Sequence, residues 1–354
     1  MKRLFRVGIF FALLTALILP SGVFAKSLQV DSHSRTYTVL VGYENTHRAF
    51  DVMGFFPSKV TIHVGDTVHW KINSNELHTV TFLAGGQAPD FLLPSAFVQG
   101  ADPTVSPLMF NPEAADPAIP SGGLYDGTTY ANSGVMGRES WEVQTFDLTF
   151  TEAGTYDYLC LVHGVMMSGE VVVEGPDMNV PSPAKEAAMG KREIAKQLAR
   201  VPAVQRKANA QIIPDVINQD GSTTHTILLG YMDGQIDLMQ FFPKKTNVRP
   251  GDTVNWEMSP NNDAPHTVTF LNGAASPELV TIVSPFIYIN PDTLLPYQPG
   301  PDLTRSGVYN SGVVNPIPGP FYSLKIGAMT PGLQPYLCLL HDESGMKGTL
   351  VVTP

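Results

Sequence analysis

Residues 336–352 read YLCLLHDESGMKGTLVV and carry three different metal-binding side chains within nine positions. Cys338 offers a thiolate, His341 an imidazole and Met346 a thioether. A short apolar run precedes these residues and a β-branched run follows them, which is typical of two strands joined by a tight loop. Thiolate, imidazole and thioether groups favour copper over harder divalent ions, so the stretch predicts a copper site.

A second copy of this stretch lies in the first half of the chain, where residues 158–174 read YLCLVHGVMMSGEVVVE. One further His precedes each copy, in the sequence HTVTF at 78–82 and again at 266–270. Two imidazoles, one thiolate and a weak axial thioether form the blue-copper electron-transfer site. The candidate ligands are His78, Cys160, His163 and a Met in the first half, and His266, Cys338, His341 and Met346 in the second.

Cys160 and Cys338 are the two cysteines of the chain. In an exported protein, one disulfide is the ordinary interpretation of two cysteines. Each Cys, however, stands in the same sequence Tyr-Leu-Cys-Leu-x-His, and a disulfide has no need of a His three residues later. The pattern therefore favours two metal ligands over a disulfide bond.

The two halves match in order over most of their length, which predicts two domains of the same fold. The sequence Gly-Asp-Thr-Val begins at Gly65 and again at Gly251, and apolar and polar residues alternate over 60–70 and 141–150. This alternation predicts half-buried strands, and 31 Gly and 30 Pro residues suit many short strands with turns. We expect an all-β protein with domains at 26–174 and 211–354.

Residues 175–210 differ in composition and predict a basic helical linker between the two domains. Apolar residues recur at helical spacing, and Ser182 is a candidate N-cap. The spaced apolar residues are Ala187, Ile194, Leu198 and Val201. We expect the helix to pack on one of the domains.

Residues 1–25 have the pattern of a cleavable secretory signal, with a basic start, an apolar centre and a small-residue end at Ala25. This predicts a periplasmic or secreted protein whose mature form has no membrane-spanning segment. The formal net charge of −10 gives no electrostatic basis for binding nucleic acid.

The ordered motifs of both halves resemble those of cupredoxins, the plastocyanin and amicyanin group of blue copper proteins. The resemblance covers most of 36–174 and 220–353, and it implies two Greek-key β-sandwich domains with one type 1 copper ion each. In the second half the spacing C-x₂-H-x₄-M is that of plastocyanin-like proteins. In the first half the three-residue step of amicyanin-like proteins favours Met166, whereas alignment on Met-x-Gly favours Met167, which we predict as the ligand.

The resemblance also implies that electrons pass through the second His of each site, at an exposed edge. Gly164, Val165 and Met166 would then form an apolar docking surface beside His163. Asp342 and Glu343 beside His341 suggest a basic partner. We expect redox partner proteins such as c-type cytochromes or membrane electron-transfer complexes. The long Pro- and Gly-rich segments between the first His and the Cys of each half are either surface elaborations or part of such docking.

Two other functions fit a two-domain copper protein. Nitrite reductases and small laccases carry a further catalytic copper held by extra His, next to the ligand Cys or in His-x-His pairs. Here Leu flanks both cysteines, and the five remaining His stand singly, which favours a carrier over an enzyme with copper oxidoreductase activity. Periplasmic copper storage or delivery is the other alternative. The remaining His, which fit no ligand pattern, are His33, His47, His63, His69 and His225.

Overall fold

The computed structural model describes residues 34–262, 264–314 and 322–354. Strands make up 42% of the structure and helices 12%, which confirms the predicted all-β class. The predicted secretory segment, residues 1–25, and His33 lie outside the described residues. We call residues 34–174 the first half and residues 211–354 the second half.

The strands described in the first half are, in chain order, β1 (Thr36–Val41), β2 (Glu44–Asn45), β3 (Phe50–Val52), β4 (Phe55–Phe56), β5 (Lys59–His63), β6 (Thr67–Ile72), β7 (Thr81–Phe82), β8 (Leu92–Pro94), β9 (Leu108–Phe110), β10 (Gly123–Tyr125), β11 (Ala131–Asn132), β12 (Thr145–Phe150), β13 (Gly154–Cys160) and β14 (Gly164–Glu174). One sheet has the strand order β10-β12-β6-β1-β4, and the other has the order β11-β7-β13-β14-β5.

These two sheets enclose one hydrophobic core. Buried and less buried residues alternate along β5, β6 and β12, as the sequence pattern predicts, although β12 begins at Thr145 rather than at Trp141. Trp70 is fully buried, and its ring contacts those of Phe82 and Phe146. Burying one large apolar side chain contributes about 1.5–3 kcal/mol, so this core fixes how the sheets face each other.

The second half contains strands β15 (Val216–Ile217), β16 (Thr223–Asp233), β17 (Ile236–Phe242), β18 (Lys245–Val248), β19 (Thr253–Met258), β20 (Thr269–Phe270), β21 (Val280–Val283), β22 (Phe286–Ile289), β23 (Asp302–Leu303), β24 (Tyr309–Asn310), β25 (Tyr322–Ile326), β26 (Gly332–Leu337) and β27 (Lys347–Val352). It repeats the sandwich, with Trp256 buried at its centre. Its sheets have the orders β2-β3-β17-β16-β19-β25-β23, with β15 on β16, and β18-β27-β26-β20-β24.

The helices are α1 (Pro112–Ala115), α2 (Pro183–Asn209) and α3 (Pro291–Leu294) among the described residues. Helix α2 is the predicted linker helix, and the Ser182 side chain caps it by accepting a hydrogen bond from the Lys185 amide. The expectation that it packs on one domain is wrong. Ile194 and Val201 belong to a buried cluster that includes Phe56 of the first half and Leu238 of the second.

The two halves also share β-structure. Strand β3 of the first half pairs antiparallel with β17 of the second, with Val52 opposite Ile236. The long loops pair as well, because β8 and β9 join β22 and β21 in one four-stranded sheet, where Met109 is opposite Tyr288. The loops that the sequence left open between surface elaboration and docking therefore hold the halves together.

The described part of the chain forms one compact unit. The boundaries 26–174, 175–210 and 211–354 stay a prediction, since β2 and β3 of the first half extend a sheet of the second half and a four-stranded sheet contains strands of both. Among the described residues, no helix is both long enough and apolar enough to cross a membrane.

Candidate metal centres

The candidate ligands come together in two clusters, one in each half. In each cluster the Cys Sγ atom and one ring nitrogen of two His residues lie within 4.8 Å of one another. The first cluster contains His78, Cys160 and His163, and the second contains His266, Cys338 and His341. Both Cys side chains are free thiols and fully buried, so the alternative of a disulfide between them is wrong.

A strand end and a tight turn position the Cys and the second His of each cluster. Cys160 is the last residue of β13 and β14 begins at Gly164, so His163 stands in the turn between them. In the second half β26 ends one residue before Cys338, and β27 begins directly after Met346. These are the strand–loop–strand units that the sequence predicts around each Cys.

The first His of each cluster is held by backbone pairing next to the strand that carries the Cys. His78 exchanges two backbone hydrogen bonds with Met136, at 2.9 and 2.7 Å, and His266 does the same with Val314. Strand β7 follows His78 and pairs with β13, just as β20 follows His266 and pairs with β26. Each imidazole therefore faces the Cys from a neighbouring strand.

The donor separations fit a small metal ion. Cys160 Sγ lies 3.9 Å from Nδ1 of His78 and 3.5 Å from Nδ1 of His163. A metal ion about 2.0–2.3 Å from nitrogen and sulfur donors holds them about 3.6–3.8 Å apart at trigonal to tetrahedral angles. The first cluster can therefore hold a metal through one sulfur and two Nδ1 atoms.

The second cluster has nearly the same geometry. Cys338 Sγ lies 3.9 Å from Nδ1 of His266 and 3.4 Å from Nδ1 of His341. The two Nδ1 atoms lie 3.1 Å apart, which places three donors around one point. Sulfur and imidazole donors in this number suit copper better than magnesium or calcium.

Methionines lie in the core beside both clusters. Met167 and Met346 are fully buried, and each packs in the same hydrophobic cluster as the Cys of its half. Met166, by contrast, has 40% of its surface exposed. Burial therefore favours Met167 over Met166 as the fourth donor of the first cluster.

Backbone amides stabilise both sulfur atoms. The Thr79 amide donates to Cys160 Sγ at 3.4 Å, and the Thr267 amide donates to Cys338 Sγ at 3.3 Å. The hydroxyl of Thr79 in turn accepts a hydrogen bond from the Leu161 amide. This role was not predicted, although a Thr follows the first His of each cluster in both HTVTF segments.

In each half, a polar side chain four residues before the first His contacts the Nε2 atom of that His. Nε2 of His78 lies 2.8 Å from Ser74 Oγ, and Nε2 of His266 lies 2.6 Å from Asn262 Nδ2. These contacts leave Nδ1 of each ring facing the sulfur. At Gly42 a side chain would collide with Ser74 and His78, so the close approach requires a glycine there.

The repeated sequence Asn-Ser-Gly-Val ties the long loop to the first-His segment. Asn132 accepts a hydrogen bond from the Thr81 hydroxyl and donates to the Ala114 carbonyl, and Ser133 accepts one from the Val80 amide. Asn310 and Ser311 make the equivalent contacts in the second half. The motif is therefore a structural support of the site.

Residues 42–174, which contain the whole first cluster, match the model of the copper binding proteins of the plastocyanin/azurin family. Residues 42–174 are therefore a cupredoxin-like segment of the chain. Solved structures of amicyanin mutants are also similar to it. An oxidized mutant shares 24% identity over 39% of this chain and 81% of its own, with a TM-score of 0.22. The Cu(I) form of another shares 25% identity over 41% and 87%, with a TM-score of 0.23.

Burial dominates the protonation of the first cluster. It raises the pKa of the Cys160 thiol to about 11, against hydrogen bonds such as that from the Thr79 amide. It also lowers the pKa of His78 well below the usual value and that of His163 to about 4, and the charge of His341 adds to the shift at His163. Both imidazoles are thus kept neutral, the form that binds a metal.

The second cluster differs because a carboxylate of the first half contacts it. Glu76 Oε2 lies 3.6 Å from Nε2 of His341. Burial alone would lower the pKa of His341, but Glu76 and the Cys338 sulfur raise it to about 10. His341 is only 7% exposed, in contrast to the exposed edge that the resemblance implies.

Four further His residues are described, and neither cluster contains them. His47 is exposed, and His63 Nε2 lies 2.8 Å from the Met178 carbonyl. His69 pairs with Asp147, and the buried His225 contacts Asp252.

Proposed function

We propose that this chain is an exported blue copper protein that carries single electrons through two type 1 copper sites, one in each half. The observation that carries the proposal is the repeated cluster of one buried thiol and two Nδ1 atoms, with a buried Met in the same core. This is the donor set of type 1 copper. The ligands we propose are His78, Cys160, His163 and Met167, and His266, Cys338, His341 and Met346.

Copper held by these residues would supply a reversible one-electron couple. The protein residues would keep the donor set the same in both oxidation states, because strand ends and backbone pairs fix the ligand side chains. The amide donors at Thr79 and Thr267 would stabilise negative charge on the sulfur atoms, and contacts of this kind tune a metal site. A fixed, buried donor set suits electron transfer rather than substrate turnover.

We also propose a periplasmic or secreted location, supported by the signal-like segment 1–25. The proposed partners are c-type cytochromes or membrane electron-transfer complexes. Val165 and Met166 support docking at the first site, because they are 83% and 40% exposed beside His163. An apolar surface of this kind suits transient contact with a partner protein.

A redox titration of the copper-loaded protein tests the electron-transfer role. We expect two reversible one-electron steps that bleach the thiolate band, and no nitrite- or oxygen-dependent turnover when a reductant is supplied. Steady consumption of nitrite or oxygen would instead support the enzyme alternative. Rapid loss of copper to a chelator in either oxidation state would support storage or delivery.

A further inference from the structure

Glu76 of the first half reaches the ligand loop of the second half. Its Oε2 lies 3.6 Å from Nε2 of His341, and its Oε1 accepts a hydrogen bond from the Ser344 hydroxyl at 2.9 Å. The Glu76 side chain is 13% exposed, so little solvent reaches these contacts. Glu76 also precedes His78, a ligand of the first cluster, by two residues.

In the part of the second half that the structure describes, no equivalent contact reaches back to the first half. The position that matches Glu76 is Ala264, two residues before His266, and it has no polar side-chain atom. Among the described residues, His163 forms no ion pair with a carboxylate, and its side chain is half-buried rather than buried. The two cupredoxin-like halves are therefore alike in ligands but different in how the second His is covered.

Both second-His residues line the same cavity between the halves. This cavity has a volume of about 850 Å³. Its lining includes His163 from the first site with the nearby Met166, His341 from the second site, and the segments at Glu76 and Ala264. The two sites thus face each other rather than opposite sides of the molecule.

We infer that Glu76 joins the two sites into one electron-transfer unit and closes His341 to outside partners. An electron leaving the first site reaches the second along His78, the backbone of residues 76–78 and the Glu76 contact to His341. One site loses one electron as the other gains it, and no bond or proton is exchanged. This inference rests on the proposed function. It adds that the first site is the only entry for a protein partner.

The entry route is tested with full-length copper-loaded variants that each lack one site. Cys160→Ser removes the first site, and Cys338→Ser removes the second. With a reduced c-type cytochrome as donor, we expect the second site in Cys160→Ser to be reduced at least roughly tenfold more slowly than in the wild type. The first site in Cys338→Ser should keep its wild-type rate. Equal rates for the second site with and without the first would overturn the inference.

The role of Glu76 is tested by the rate of electron exchange between the two sites. A short radiolysis pulse partly reduces the wild-type protein or a variant, and the exchange that follows is recorded. Glu76→Ala should slow this exchange roughly tenfold, equivalent to about 1.4 kcal/mol in the barrier. Glu76→Gln keeps an oxygen for Ser344 and should retain most of the rate. The matched control is Glu139→Ala, which removes an exposed carboxylate of the same cavity. A wild-type rate in Glu76→Ala, with both copper spectra intact, would contradict the inference.

Chemical modification of the metal-free protein measures independently how far Glu76 shields His341 from solvent. Diethyl pyrocarbonate should modify His163 faster than His341 in the wild-type chain, and Glu76→Ala should make His341 reactive. Equal reactivity of the two residues in the wild type would overturn the inference. Failure of the proposed function is distinguishable, because it would show as missing copper or a missing thiolate band before any rate is measured.

Discussion

At the residue scale, methionine is the weakest donor of each proposed site, and the first half offers two neighbouring candidates. Met167 is buried in the core with Cys160, whereas Met166 is 40% exposed. Met167→Leu should therefore shift the first copper's potential upward by on the order of 60 mV, which is a tenfold change for a one-electron couple. The axial donor tunes this potential in blue copper sites. Voltammetry of the Cys338→Ser background measures it for the first site alone.

Met166→Leu is the matched control for this prediction. It alters an exposed side chain and should leave the potential and the visible spectrum of the first site unchanged. If Met166→Leu shifts the potential and Met167→Leu does not, the shorter amicyanin-like spacing would be the right one.

Glu142 is a residue whose protonation should affect stability near neutral pH. Burial raises its pKa to about 7, and the Glu139 and Glu343 carboxylates contribute, although hydrogen bonds such as that from the Glu139 amide oppose the rise. Between the model-compound value of 4.5 and about 7, the folded protein binds more protons at this group than the unfolded chain does. Its contribution to stability is therefore present at low pH and lost as the pH rises.

Glu142→Gln should remove this pH-dependent loss. We expect the melting temperature of Glu142→Gln, relative to wild type in the same copper state, to be higher at pH 8 than at pH 4. Thermal melts at both pH values measure the difference. Glu152→Gln, at an exposed position, is the matched control for the loss of one surface carboxylate. A Glu142→Gln difference that does not change with pH would contradict the assignment.

At the element scale, helix α2 packs closely against the first half at Gly190. A Cβ atom at this position would lie 2.7 Å from backbone atoms of Phe56 and Pro57. Alanine normally favours a helix over glycine by about 1 kcal/mol. Here Gly190→Ala should instead lower the free energy of unfolding, by roughly 1–3 kcal/mol as for other overpacked sites. Denaturant unfolding of the two proteins measures the change.

The control for this prediction is Ala188→Gly, at an exposed position of the same helix. It should cost about 1 kcal/mol through helix propensity alone. A Gly190→Ala protein that is more stable than wild type would show that the helix does not press on β4.

Sequence reasoning succeeded where one local pattern determines one element. The strands around Cys160 and Cys338 follow from an apolar run and a β-branched run, and the Ser182 cap follows from its place before residues at helical spacing. The supports of the sites were missed, because Thr79 and Ser74 act through contacts that only the folded sheet creates. The buried state of His341 was missed for the same reason, since Glu76 contacts it from a distance of 265 positions along the chain.

At the scale of the whole molecule, the shared sheets and helix α2 should make the two halves unfold together. Leu238 of β17 is fully buried in the cluster that also contains Phe50 of β3 and Ile194 of α2. Leu238→Ala should cost about 2–5 kcal/mol and lower the melting of both halves. The thiolate band is followed during melting of Leu238→Ala, alone and combined with Cys160→Ser or with Cys338→Ser. Both sites should lose the band at the same temperature, which should be lower than in the matching proteins without Leu238→Ala.

Leu124→Ala, at a side chain that is 65% exposed, is the control and should leave both transitions in place. A Leu238→Ala protein in which only the second site melts earlier would mean that the halves are stable independently. No sequence pattern predicts this coupling, because β3 and β17 belong to different halves and lie far apart along the chain.

Copper content per chain, measured with the visible and EPR spectra of the purified protein, decides whether the chain carries two type 1 sites. We expect two copper ions per chain, an intense thiolate band and type 1 EPR signals. Cys160→Ser and Cys338→Ser should each lose one of the two ions and the corresponding signal. Copper bound without a thiolate band, or a full complement of copper in either Cys variant, would mean that the two Cys-containing clusters are not the copper sites.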